Sequence, residues 1–87
     1  MESRHRLYQD RIAVDPAVMV GKPVVKGTRV PVETVLRHLA FEPDVQTVLD
    51  AFPHLTRDDI RACLDYAQAV VAGETIIIED ASHLAVQ

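Results

Sequence analysis

The side chains able to do chemistry are few and scattered. His5, His38, His54 and His83 are the histidines, and no two are four residues apart. No helix can therefore present a His pair to a metal ion. Cys63 is the single cysteine, which excludes an intrachain disulfide and a zinc site built from thiolates. It falls on the apolar side of a helical pattern, where an inert core thiol is expected rather than a nucleophile. Ser3 and Ser82 lie in the two tails, with nothing to fix a triad geometry. Asp58 and Asp59 are neighbours, and neighbours on a helix point roughly 100° apart. Together with Asp65 they read as capping and solubilising groups, not as an acid–base pair. Residues 21–28 echo a phosphate loop, but Lys26 precedes Gly27 where such a loop needs the lysine after the glycine. No catalytic residue, metal ligand or cofactor is assigned, and the chain reads as non-enzymatic.

A basic group carries more information. Lys22, Lys26 and Arg29 fall on or beside one predicted hairpin, and Arg37 follows one to two turns into the next predicted helix. Two readings stand side by side. The four contact the phosphates of DNA, or Arg29 pairs with Asp15 or Glu33 and ties the hairpin to the domain. Base reading by the last predicted helix has little support. Its first turns carry Arg57, Asp58, Asp59 and Arg61, and two acids there repel phosphates.

The elements that must position these groups follow from punctuation and period. Residues 1–11 read as a polar arm, 12–73 as the folded domain and 74–87 as a C-terminal tail. Ile12-Ala13-Val14 is strand-like. Val24 to Val32 reads as a β-hairpin turning at Lys26-Gly27, where glycine supplies a positive φ. A first helix begins near Pro31-Val32, with Val32, Val35, Leu36 and Leu39 as its apolar stripe. Phe41-Glu42-Pro43 stops it. Asp44 caps a second helix whose buried face is Val45, Val48, Leu49 and Phe52. Thr56 opens the third, with Asp59 completing a capping box. Ile60, Cys63, Leu64, Ala67, Val70 and Val71 keep its period, and Gly73 ends it. Thr75 to Ile78 turns β-like and adds a strand in one reading. The fold class is mainly α: a short N-terminal β-hairpin, then a three-helix bundle of helix-turn-helix type.

Size and charge restrict what such a domain does. At 87 residues the core is small and leaves little room for a walled substrate pocket. The net charge of −4 is uneven, +3 over residues 1–40 and −7 over 41–87, a cue for two faces or two partners. A pI near 5.4 argues against strong nonspecific nucleic-acid binding. The single thiol and the polar start of the chain fit a cytoplasmic protein. No apolar run is long enough to cross a membrane.

Asp15-Pro16, Gly21-Lys22-Pro23 and Gly27-Thr28-Arg29-Val30-Pro31-Val32 are followed by Phe52-Pro53, Leu55-Thr56, Asp59-Ile60, Leu64 and Tyr66-Ala67. Over about residues 12–72 this pattern resembles the bacterial family known as domain of unknown function 433, whose members resemble VapB-type antitoxins. The resemblance implies a homeodomain-like fold. It implies an antitoxin of a type II toxin–antitoxin module that binds and inhibits a PIN-like ribonuclease toxin and regulates its own operon through operator DNA. The alternatives are a stand-alone DNA-binding regulator and a dimerisation module that binds no DNA. A homodimer is expected, since the short edge strand needs a partner. For the toxin, the expected contacts are Ile76, Ile77 and Ile78, with Glu79 and Asp80 facing basic groups of the nuclease. One departure stands out. The family usually has glycine between the first two helices, where this chain has Phe41-Glu42-Pro43. Phe41 then either fills the core or sits exposed.

Overall fold

Thr56 opens the longest element. Its hydroxyl accepts from the Asp59 N–H at 3.1 Å, and the Asp59 carboxylate accepts from the Thr56 N–H at 2.9 Å. This is the reciprocal cap that the sequence predicts, with Asp in place of Glu. At the other end Gly73 takes a φ of +75°. Its N–H donates to the Val70 carbonyl, and the Glu74 N–H donates to that of Ala69, so the last carbonyls are satisfied and the helix stops. The computed structural model describes residues 6–14 and 21–78. In chain order its elements are α1 (Leu7–Arg11), β1 (Ile12–Val14), β2 (Pro23–Val25), α2 (Val32–Phe41), α3 (Val45–Ala51) and α4 (Arg57–Val71). The fold is mainly helical, with a short antiparallel β pair ahead of three helices, as the pattern predicts.

The strand pairing differs in detail from that expectation. β1 and β2 form the antiparallel sheet, with Ile12 opposite Val25, Ala13 opposite Val24 and Val14 opposite Pro23. The predicted Val24–Val32 hairpin reduces to a turn and one bridge, Val24 to Pro31. Proline has no N–H to donate, so the ladder cannot extend through it. The turn itself is as expected. The Thr28 N–H donates to the Val25 carbonyl at 3.0 Å, and Gly27 has φ +83°, which a type II turn requires at that position. Residues 21–28 are thus strand and turn, not a phosphate-wrapping loop.

The next two helices follow their predicted caps. The Asp44 carboxylate accepts from the Gln46 N–H at 2.9 Å at the start of α3. Pro31 occupies the cap of α2, one residue ahead of its first turn. Phe41, at the end of α2, is 85% exposed and does not fill the core. The core is built from Tyr8, Ile12, Val25, Val32, Val35, Val48, Leu55, Ile60, Ala62, Cys63 and Ala69. Each fully buried Val or Ile contributes about 1.5–3 kcal/mol relative to exposure.

Two findings revise the expected core. The apolar stripe read on α4 is displaced. Ile60 and Cys63 are buried, but the face turned inward continues through Ala62, Tyr66 and Ala69, and Leu64, Val70 and Val71 are exposed. The helix is apolar on more than one side, so periodicity alone does not select the buried one. The second concerns the arm. Residues 7–11 are helical and pack on α4. Tyr8 is buried and meets Tyr66 edge-on at 5.8 Å.

One carboxylate holds that arm. Asp65 accepts from the Arg6 guanidinium at 2.5 Å and from the Tyr8 N–H at 3.2 Å. It thereby caps the N-terminus of α1 from a neighbouring helix. Arg6 also reaches Glu74 and Gln68. Five residues on, Arg11 pairs with Asp59 at 3.0 Å. The two arginines clamp α1 antiparallel to α4. The Arg6 hydrogen bond, with the Tyr8 and Leu7 amides, holds the Asp65 carboxyl below its ordinary pKa against an opposing effect of burial. A carboxyl depressed in the folded state adds stability that is complete above its unfolded pKa of about 3.9 and is lost as pH falls through the lower folded value. Asp65→Asn should therefore lower stability at pH 7 by more than the ~0.5 kcal/mol of an ordinary surface change. The gap from wild type should close as urea melts are repeated from about pH 4 downward. A gap independent of pH would assign the effect to shape, not charge.

Candidate functional site

Among the four basic residues, the fold separates two pairs. Glu33, in the first turn of α2, takes both Lys22 at 3.3 Å and Arg37 at 3.8 Å. All three are largely exposed, so these pairs are weak. Lys26 and Arg29 stand on the turn that follows β2, exposed and with no ionic partner among the described residues. The structural alternative for Arg29 is thus corrected in part. Glu33 is engaged by other cations, and Asp15 lies outside the described residues. At the start of α4, Asp58 pairs with Arg61 at 3.2 Å and Asp59 with Arg11, which leaves that end of the helix internally satisfied.

The turn forms one wall of a groove. Residues 27–30 face residues 51–55 across a space of 660 Å³. Thr28 sets the first wall: its hydroxyl donates to the Val25 carbonyl at 2.8 Å and accepts from the Val30 N–H at 3.0 Å. The second wall is the α3–α4 joint. The Phe52 N–H donates to the Val48 carbonyl, the Leu55 N–H donates to that of Phe52, and Leu55 is buried as the anchor. His38 braces Phe52 edge-on at 6.4 Å. The Thr47 hydroxyl donates to the Asp44 carbonyl at 2.7 Å and is hydrogen-bonded to His38 Nε2 at 3.0 Å, which fixes the ring. Val30, Phe52, Pro53 and Leu55 make the groove apolar, with Arg29 and His54 exposed at its rim.

A different surface lies on α4. Leu64, Ala67 and Val71 succeed one another at three and four residues along a side that is not the buried one, and Val71 is 87% exposed. Beyond the helix the predicted toxin-binding residues divide. Ile76 and Ile78 pack against this chain's own core, while Ile77 is exposed, its N–H donating to the Tyr8 hydroxyl at 3.4 Å. Residues 74–78 carry no regular structure and join no strand. Glu79 and Asp80 lie outside the described residues. Arg6, Tyr8 and Asp65 are the contacts that sequence reasoning missed. The available signal was a lone aromatic inside a polar arm and an acid set between Leu64 and Tyr66.

The family model described as "Protein of unknown function (DUF433)" matches residues 12–67. The chain belongs to this family. Two relatives are similar to parts of this chain. The uncharacterized protein y4eO of Sinorhizobium fredii is 40% identical over 58 residues, 67% of this chain and 26% of that protein. This chain therefore matches about a quarter of that relative's length. An uncharacterized protein of Archaeoglobus fulgidus is 61% identical over 28 residues, 32% of this chain and 78% of its own. No solved structure matches.

Both walls of the groove lie inside the DUF433 segment, whereas α1 and residues 74–78 lie outside it. Cys63 also lies within it, fully buried. Burial, with the nearby Asp59 charge, pushes its thiol up to about 12, so it stays protonated at neutral pH. Among the described residues, no three His, Cys, Asp or Glu side chains gather as metal ligands, and no helix is long and apolar enough to cross a membrane. The groove depends on the Gly27 turn. A Cβ added there meets nothing within 4 Å, so the cost of a side chain is backbone strain alone. Gly27→Ala should destabilise by about 1–2 kcal/mol. Lys26→Ala, beside it, should stay within about 0.5 kcal/mol of wild type in the same urea titration. Equal effects would show that the turn is not held at positive φ.

Proposed function

We propose that this protein is the antitoxin of a type II toxin–antitoxin module and that it binds and inhibits a PIN-like ribonuclease. The observation that carries this reading is the apolar strip on α4 in which Leu64 and Val71 are exposed and Ala67 between them is half-buried, with Ile77 also exposed beyond the helix. Large apolar side chains gathered on the surface of so small a domain favour a macromolecular partner. The −7 balance of residues 41–87 complements a basic RNA-binding surface. The choice of a nuclease as the partner comes from the family's resemblance to VapB-type antitoxins. Self-association through the same strip is the homodimer reading.

A second reading, operator DNA, rests on Lys26 and Arg29, the two members of the basic group without an ionic partner among the described residues. Two cations make a short phosphate track. Binding of this kind loses affinity steeply with salt, in proportion to the phosphates neutralised.

Sequencing the adjacent gene and, where it encodes a PIN-like nuclease, co-expressing the two tests the leading reading. The two should co-purify, and the complex should have less ribonuclease activity than the free nuclease. Leu64→Asp with Val71→Asp should weaken the complex by at least about tenfold, roughly 1.4 kcal/mol. The double variant should still unfold cooperatively in a urea melt, because Val71 is 87% exposed and Leu64 about half exposed. A neighbouring nuclease that neither co-purifies nor is inhibited would overturn the proposal. Full inhibition by the double variant would remove the strip from the interface. A change in sedimentation mass without a change in inhibition would assign the strip to the homodimer.

A further inference from the structure

We infer that the groove between the Gly27 turn and the α3–α4 joint is a docking site for a short extended peptide of a partner chain, one with an apolar side chain next to a carboxylate. The inference does not rest on the antitoxin reading. It starts from what each residue of the turn is used for. Gly27 supplies the positive φ, Thr28 makes two hydrogen bonds that close the turn, Val30 packs against the core and Pro31 bridges to Val24. Of the turn residues that line the groove, Arg29 alone has no such use. It is exposed, has no ionic partner among the described residues and stands on the rim of the groove. The other described arginines, Arg6, Arg11, Arg37, Arg57 and Arg61, each hold a carboxylate or an amide oxygen.

The walls decide what Arg29 would recognise. A guanidinium fork matches a carboxylate with two parallel hydrogen bonds. Phosphates of a nucleic acid are held by several cations along a track, whereas this groove is lined by one arginine beside Val30, Phe52, Pro53 and Leu55, and Lys26, the other unpaired cation of the turn, does not line it. An apolar floor with one polar anchor selects a ligand that is apolar at one point and charged at the next. A volume of 660 Å³ suits two or three residues. Gly27, Arg29, Ala51, Pro53 and His54 are all exposed, so the groove is open, which suits a passing chain better than an enclosed small acid. Phe52 is braced on one side by the His38 ring, which is itself hydrogen-bonded to Thr47.

Titration of the isotope-labelled full chain with acetyl-Leu-Phe-Asp-amide, followed by amide NMR, tests this. The Thr28, Val30 and Leu55 resonances should shift and saturate. The counterpart ending in Asn should bind about tenfold more weakly, as should the acid peptide to Arg29→Ala. Arg29→Lys should recover part of the loss. Arg29→Ala should melt with the wild type, since it breaks no contact among the described residues. Four results would overturn the inference: no shift at millimolar peptide, equal binding of the Asp and Asn peptides, a lowered melting temperature for Arg29→Ala, or shifts of these resonances by a DNA duplex and not by peptide. The antitoxin reading is tested on α4, so either can fail alone.

Discussion

Every other element of this fold buries its apolar side on α4 or on a residue that α4 supports. α1, β1, α2 and α3 all pack against it. The constraint is one of size, because 87 residues cannot build several independent layers. A single 15-residue helix must serve as the common wall. Both of its ends are consequently well made, with a reciprocal cap at Thr56 and Asp59 and a left-handed stop at Gly73. Small residues at Ala62 and Ala69 let neighbouring elements approach closely on the buried side. The same economy leaves Leu64 and Val71 outside, because one helix has only so much circumference to cover.

Asp65 shows how a polar group can organise such a core. It sits beside the buried face of α4 and meets two needs at once, the charge of Arg6 and the unsatisfied amides at the start of α1. Seating α1 in this way puts Tyr8 into the core and gives Ile76 and Ile78 something to pack on. These elements lie outside the segment that matches the family, residues 12–67. The family segment thus supplies the sheet, the turn, α2, α3 and most of α4, and the flanking residues add the last turn of α4 and close its remaining side.

The turn after β2 and the joint before α4 are distant in sequence and adjacent in space. Their backbone geometry is fixed by local chemistry: glycine at positive φ and a bifunctional threonine hydroxyl on one wall, a helix end and a buried leucine on the other. What remains at the surface is an apolar floor and a guanidinium. The α4 strip and this groove are different surfaces with different chemistry, one apolar, the other apolar with a cation at its rim.

The elements that could be read from the sequence were those set by neighbours in the chain. The caps at Asp44 and Thr56, the stop at Gly73, the turn at Gly27 and the interruption at Phe41-Glu42-Pro43 each depend on two to four consecutive residues, and each is where the pattern placed it. The order of elements and the mainly helical class follow from them. What depended on distant residues was not legible. Periodicity marked α4 as apolar but could not choose which of its sides faces inward, since that is decided by the positions of β1, α1 and α2. The pairing of β1 with β2 was hidden because a three-residue strand carries no sign of its partner. Arg6 and Asp65 are 59 residues apart, and nothing local to either predicts that the arm becomes a helix. The basic group looked like one site in sequence, yet a single carboxylate, Glu33, drew Lys22 and Arg37 to itself and left Arg29 over an apolar groove. Sequence determined the pieces because backbone hydrogen bonds and φ angles are local. Tertiary structure decided the surfaces, because exposure is a property of what else has packed nearby.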